Sequence, residues 1–161
     1  MSNEINFSFI DYSFYTRSLD IFTIGCVANP RCEGCCNPEL WDFSQEGISV
    51  SEALKKIQEL NKMFNPLIDR ILIVGGDPVD GYFLKDGVCD FIQQVKVLTN
   101  KPIYLFTRHE LDKVPQKLKD IVDYIKCGPY CPELTTDDNW QYNIKLATSN
   151  QKIYSKDKGE F

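Results

Sequence analysis

Residues 21–38 read Ile21-Phe22-Thr23-Ile24-Gly25-Cys26-Val27-Ala28-Asn29-Pro30-Arg31-Cys32-Glu33-Gly34-Cys35-Cys36-Asn37-Pro38. The apolar run Ile21–Ile24 predicts a buried strand, so Cys26, Cys32 and Cys35 fall together on one loop at its C-terminal end. Thiolates are soft ligands, and three on a short loop suit an iron–sulfur cluster or a zinc ion. A cluster held by only three thiolates keeps one iron open to bind and reduce a substrate. A zinc site would take Cys36 or a distant cysteine as its fourth ligand.

Outward from this loop, strand-like and helix-like segments alternate. Ser49-x-x-Glu52 forms a capping box, and Val50, Ala53, Leu54, Ile57 and Leu60 follow at one-face helical spacing. Ile71–Val74 predicts a second strand, ended by Gly75-Gly76-Asp77-Pro78. Phe83, Leu84, Val88, Phe91, Ile92, Val95 and Leu98 fit a second helix, and Ile103–Thr107 a third strand. A weaker helix near 116–121, a strand near 124–126 and a last strand near 151–154 complete the pattern. Such alternation predicts an α/β fold of parallel βα units. Four or five units are too few for a closed eight-stranded barrel of about 250 residues. The expected fold is a partial (βα) barrel, open on one side, in one domain over 1–161. Its core is expected over about 19–130, with a less regular part over 131–161. Sites in such sheets form where loops leave the C-terminal strand ends, and both the Cys loop and Gly75–Pro78 lie there.

The chain has 161 residues, 43% of them hydrophobic and 25% charged, as in an ordinary globular protein. A formal net charge of −5 gives no nucleic-acid surface, and Lys145, Lys152, Lys156 and Lys158 are expected on a solvated face. No apolar run approaches a membrane span, and Met1-Ser2-Asn3-Glu4 lacks the start of a signal peptide. A cytoplasmic setting is expected. Seven cysteines there argue for ligands and buried thiols over disulfides. Cys36, Cys89, Cys127 and Cys131 are spare thiols that a second metal site would need, although buried cysteines also serve as small apolar residues. His109, the one histidine, follows a strand end and is expected on an exposed loop, with the lining of a ligand pocket as the alternative, and Trp41 and Phe43 are expected as packing over the Cys loop.

The stretch Gly25-Cys26…Cys32-Glu33-Gly34-Cys35-Cys36-Asn37-Pro38-Glu39-Leu40-Trp41, with Gly75-Gly76-Asp77-Pro78, resembles the radical S-adenosylmethionine (SAM) superfamily. Within it, the chain is most similar to the activating proteins of anaerobic ribonucleoside-triphosphate reductase. Asp123–Tyr130, ending in Gly128-Pro129-Tyr130, and Ser149-Asn150-Gln151 add to that likeness. The gap between the first two cysteines is longer than is usual there, Asp77 replaces a Glu, and Lys145–Thr148 replaces an Arg-Gly-Ser-like segment.

The resemblance implies that Cys26, Cys32 and Cys35 each bind one iron of a [4Fe–4S] cluster, with SAM on the fourth iron. It implies that Gly75, Gly76, Asp77 and Pro78 bind SAM, and that no catalytic side chain is needed beyond the cluster ligands. It further implies a glycyl radical made on the large anaerobic ribonucleotide reductase subunit, with flavodoxin or ferredoxin as reductant. Another protein, peptide or small heterocycle as substrate is the second expectation, and a non-catalytic Cys-rich metal-binding scaffold the third.

Overall fold

The computed structural model describes residue 5 and residues 7–28, 32–35, 37–43, 46–80 and 87–161. Strands β1 (Phe7–Ser13), β2 (Ser18–Thr23), β3 (Arg70–Gly75), β4 (Ile103–Phe106) and β5 (Tyr124–Cys127) form one sheet with β8 (Lys152–Ser155). The short strands β6 (Trp140–Gln141) and β7 (Ile144–Lys145) make a separate hairpin. The sheet order is β1-β2-β3-β4-β5-β8. β2 to β5 run parallel in chain order, and β1 and β8 pair antiparallel at the two edges.

The alternation expected along the chain is present, with helices α1 (Val50–Phe64), α2 (Val88–Thr99) and α3 (Gln116–Lys119) between the parallel strands. α1 opens on the capping box: the Ser49 hydroxyl accepts from the Glu52 amide and the Glu52 carboxylate accepts from the Ser49 amide at 2.8 Å. α2 ends on Asn100 in the left-handed region, φ 51°. Phe83 and Leu84, read as part of α2, lie outside the described residues.

All three helices cover one face of the sheet. Ala53, Ile57 and Leu60 of α1, Phe91, Ile92 and Val95 of α2 and Leu118 of α3 join Leu19, Ile21, Ile71, Ile73, Ile103, Leu105 and Ile125 in a single buried cluster. Burying each such large apolar side chain contributes about 1.5–3 kcal/mol. The second face carries Leu72 and Tyr104, which pack with Ile144, Leu146 and Ile153 under the β6–β7 hairpin. Towards β1 this face is barer: Phe9 stacks on Phe22 with ring centroids 4.1 Å apart and remains 43% exposed.

The core is wider than the 19–130 read from the sequence. β1 precedes it, and Phe7, Ile10 and Tyr12 are buried. A register shift between Phe7 and Phe9 moves the buried phase from an odd position to even ones, so the segment has no clean alternation to read. At the other end β8 and the hairpin belong to the packed structure. Among the described residues no helix is long and apolar enough to cross a membrane.

Asp20 lies on the second face, opposite Asp11 across the β1–β2 pair. Burial first, and Asp11 after it, push its carboxyl from 3.8 to about 6, against a hydrogen bond donated by the Ser18 hydroxyl. A raised folded value means that the native state holds the proton more tightly than the unfolded chain. Stability from this group is therefore full below about pH 4 and lost as pH rises towards 6. Asp20→Asn is expected to match wild type in urea denaturation at pH 4 and to exceed it at pH 7.5 by about 2–3 kcal/mol. Equal midpoints at both pH values would show that the carboxyl is not strained.

Candidate iron–sulfur site

The Cys loop is built on the paired ends of β2 and β3, where Thr23 faces Gly75. The Gly76 amide donates to the Thr23 carbonyl at 3.1 Å, and the Asp77 amide to the Gly25 carbonyl at 2.7 Å. On its other side the loop is strapped by Gly25 N–H to Leu40 O at 2.8 Å and Cys26 N–H to Trp41 O at 3.3 Å. Gly25 has φ +100°, and a Cβ there would lie 2.2 Å from the Phe43 ring. Trp41 and Phe43 thus brace the loop, as packing residues would.

The glycine motif makes its close approach to the chain itself. A Cβ on Gly75 would sit 2.4 Å from the Thr23 nitrogen, and one on Gly76 would sit 2.2 Å from the Gly25 carbonyl oxygen. Asp77, 3% exposed, accepts from the Val79 amide at 3.0 Å, the Thr107 hydroxyl at 2.8 Å and the Arg108 amide at 3.0 Å. Burial pushes its carboxyl above the ordinary value, and these hydrogen bonds act in the opposite direction. Asp77 thus ties the β3 loop to the β4 loop. Pro78 is buried in the same turn.

The three thiols share one site. Cys26 is buried, and Cys32 and Cys35 are half-buried. The Cys35 amide donates to the Cys32 carbonyl at 3.2 Å, closing a turn in which Gly34 has φ +72°. Burial first, then the neighbouring Cys26 and Cys35, raise the Cys32 thiol, while Arg108 and the Tyr130 backbone N–H favour its thiolate. The Tyr130 ring also packs on the turn, 3.1 Å from where a Gly34 Cβ would lie. Its loop is fastened from below: Asn150 Nδ2 donates to Pro129 O at 3.0 Å and Gln151 Nε2 to Gly128 O at 3.4 Å. Ser149-Asn150-Gln151 and Gly128-Pro129-Tyr130, far apart in the chain, act as one support.

Arg108 and Asp80 are site residues that no sequence motif singled out. The Arg108 side chain hydrogen-bonds the Cys26 thiol and pairs with Asp80 at 3.3 Å and Asp77 at 3.7 Å. Asp80 Oδ2 accepts from the Val27 amide at 2.7 Å, inside the Cys loop. His109 is not the free loop residue expected, because its Nε2 lies 2.8 Å from Asp80 Oδ1. Against the cost of burial, the bonds from His109 and Val27 and the charge of Arg108 hold the Asp80 carboxyl below its usual range. The available signal was the polar run Thr107-Arg108-His109 at a strand's C-terminal end.

Asp77, Asp80 and His109 offer ligand atoms within 4.8 Å of one another, the one such trio among the described residues. With Arg108 paired to both carboxylates, that trio is an ion-pair network whose cation is already present. Arg108 Nε makes no hydrogen bond there and faces Asp77 Oδ2 at 3.7 Å.

Cys131, half-buried, follows the Tyr130 that packs on the Cys turn, while Cys127 and Cys89 lie elsewhere. Cys127 is buried in the core on the helix face, where burial pushes it up to about 12. Cys89 on α2 donates to Lys117 O at 3.8 Å. Cys36 lies outside the described residues.

Residues 16–153 match the family described as a 4Fe-4S single cluster domain. No curated protein and no solved structure matches the chain. The matched span runs from the turn before β2 into β8, and so takes in the Cys loop and both segments that support it. By that match the chain belongs to the 4Fe-4S single cluster domain family.

Proposed function

We propose that the protein is a radical SAM activating enzyme that generates a glycyl radical on the large anaerobic ribonucleotide reductase subunit. The observation that carries this reading is the three-thiol loop on the end of β2, braced from beneath by Gly75–Asp77 at the end of β3. The family match supports the cluster, and the sequence resemblance supports the SAM chemistry. Four sequential parallel strands with helices on one face support reading the sheet as a partial (βα) barrel of the radical SAM type.

Cys26, Cys32 and Cys35 would hold the cluster as thiolates. One-electron cleavage of SAM to methionine and a 5′-deoxyadenosyl radical is the chemistry that such a cluster supplies when bound. The chain's own residues fix where that happens. The Thr23–Gly76 and Gly25–Asp77 hydrogen bonds set the height of the Cys loop over the sheet. Phe43 packs against buried Gly25, and Tyr130 packs against the Gly34 turn. Asp77, with its hydrogen bonds made within the chain, keeps the β3 and β4 loops in register, and a part for Gly75–Pro78 in binding SAM rests on the sequence resemblance. No side chain is assigned as an acid or base.

The protein substrate would approach over exposed apolar surface, which includes Phe9 stacked on Phe22 on the second face and Val27 of the Cys loop, 57% exposed. Exposed apolar surface beside a reactive loop suits a covering partner. A flavodoxin or ferredoxin would supply the electron.

Anaerobic reconstitution with iron and sulfide, followed by SAM and dithionite, tests the reading. Chromatography is expected to show 5′-deoxyadenosine and methionine, formed slowly without the partner. Adding the host's anaerobic reductase is expected to give a glycyl-radical doublet in the electron paramagnetic resonance spectrum. An intact reduced cluster without 5′-deoxyadenosine would overturn the SAM chemistry. Cleavage without a doublet would overturn the substrate alone.

A further inference from the structure

Arg108 places a cation on the site from outside the Cys loop. It sits just past β4, its backbone amide is held by Asp77, and its guanidinium reaches both Asp80 and the Cys26 sulfur. Asp80 in turn grips the Cys loop at the Val27 amide and is backed by His109. A solvated arginine on a surface loop would need none of these restraints. Here both the amide and the side chain are fixed, and the side chain is 26% exposed.

We infer that Arg108 is a positioning residue that sets the reduction potential of the cluster, through its charge and its hydrogen bond to the Cys26 sulfur. This rests on Cys26, Cys32 and Cys35 being the ligands, and not on the SAM chemistry. The potentials of iron–sulfur clusters depend on net charge, on hydrogen bonds to the sulfurs and on solvent exposure. Reduction adds one electron and breaks no bond, so the cluster becomes one unit more negative. A fixed guanidinium on a ligand sulfur favours that added charge. Asp80 tempers the effect, because its carboxylate lies 3.3 Å from the same guanidinium. The pair thus gives two levers of opposite sign on one sulfur.

The test is a redox titration of the reconstituted protein without SAM. Dithionite is the one-electron donor, and the reduced cluster is read by electron paramagnetic resonance beside iron and sulfide content. Arg108→Gln is expected to lower the equilibrium constant for reduction tenfold to a hundredfold, a midpoint about 60–120 mV more negative for a one-electron couple. Arg108→Lys, which keeps the charge, is expected to stay within about threefold of wild type, or about 30 mV. Asp80→Asn keeps an acceptor for Val27 and removes the opposing charge, so its midpoint is expected to move the other way. General damage to the site would not separate these three variants by sign.

A full cluster in Arg108→Gln with an unmoved midpoint overturns the inference, as do equal shifts in Gln and Lys. Should Arg108→Gln fail to hold a cluster, Asp80→Asn decides: a less negative midpoint upholds the inference, and an unmoved or more negative one overturns it. A wild-type protein that assembles no cluster would overturn the ligand assignment, and this inference with it.

Discussion

Replacing Cys26, Cys32 or Cys35 singly with alanine is expected to abolish the cluster, whereas Cys89→Ala and Cys127→Ala keep wild-type iron and sulfide. Each of the three loop cysteines is held in place by the chain around it. Cys26 is fixed by its backbone bond to Trp41 and its side-chain contact with Arg108. Cys32 and Cys35 are the two ends of one hydrogen-bonded turn. Cys127 is an unsuitable stand-in, because it is 2% exposed on the helix face and its thiol is pushed up to about 12. A thiol held protonated is a poor ligand, since the thiolate is the species that binds metal. Its loss should appear as stability, about 1–2 kcal/mol for a small buried group, and not as lost iron. Cys89 lies on α2, with its sulfur engaged at Lys117. Iron and sulfide analysis after anaerobic reconstitution decides the matter. A cluster that survives Cys35→Ala and is lost in Cys36→Ala would move the third ligand by one position.

What could be read from the sequence was what local chemistry dictates. The capping box at Ser49 and Glu52, the apolar stripe of α1 and the β-branched run of β3 needed no distant partner to be recognised. β1 escaped because its bulge breaks the period on which strand recognition depends. The β6–β7 hairpin escaped for another reason. Its two-residue turn is Tyr142-Asn143, with φ of 51° and 62°, instead of the glycine-bearing pair that usually announces such a turn. β8 was expected, but its antiparallel pairing with β5 follows from the return of the chain and not from any residue within it.

The site divides in the same way. Three candidate ligands on one loop are a local pattern, and the sequence names them by number. Arg108 and Asp80 meet that loop only because β2, β3 and β4 are neighbours in the sheet. Neither lies in a motif, and each looks like an ordinary loop charge until the fold brings it to Cys26 and Val27. Gly75 and Gly76 were legible as glycines that permit a close approach. Which surface approaches them is a tertiary fact, and it is the Cys loop.

That fact sets the outcome expected for Gly76→Val, which should lose at least nine-tenths of the cluster of the wild type. A Cβ at Gly76 would meet the Gly25 backbone, at 2.2 Å from its oxygen, 2.6 Å from its carbon and 2.8 Å from its nitrogen. Backbone atoms cannot rotate away as a side-chain tip can, so one of the two loops must shift by more than about 1 Å to restore ordinary contact. Gly25 is the residue before Cys26, and it is pinned to Leu40 on its far side. The shift therefore falls on the first ligand or breaks the Asp77–Gly25 bond that seats the loop. Overpacking of this kind also costs about 1–3 kcal/mol in stability, so urea denaturation should move as well. Gly159→Ala is the control, since a Cβ there meets nothing within 4 Å and bears only the strain of φ +70°. It is expected to cost about 1 kcal/mol and keep its iron. The opposite result is equally informative. Gly76→Val with a full cluster and weakened SAM affinity, measured by equilibrium binding, would mean that Gly25 yields and that the glycine is kept bare for a ligand.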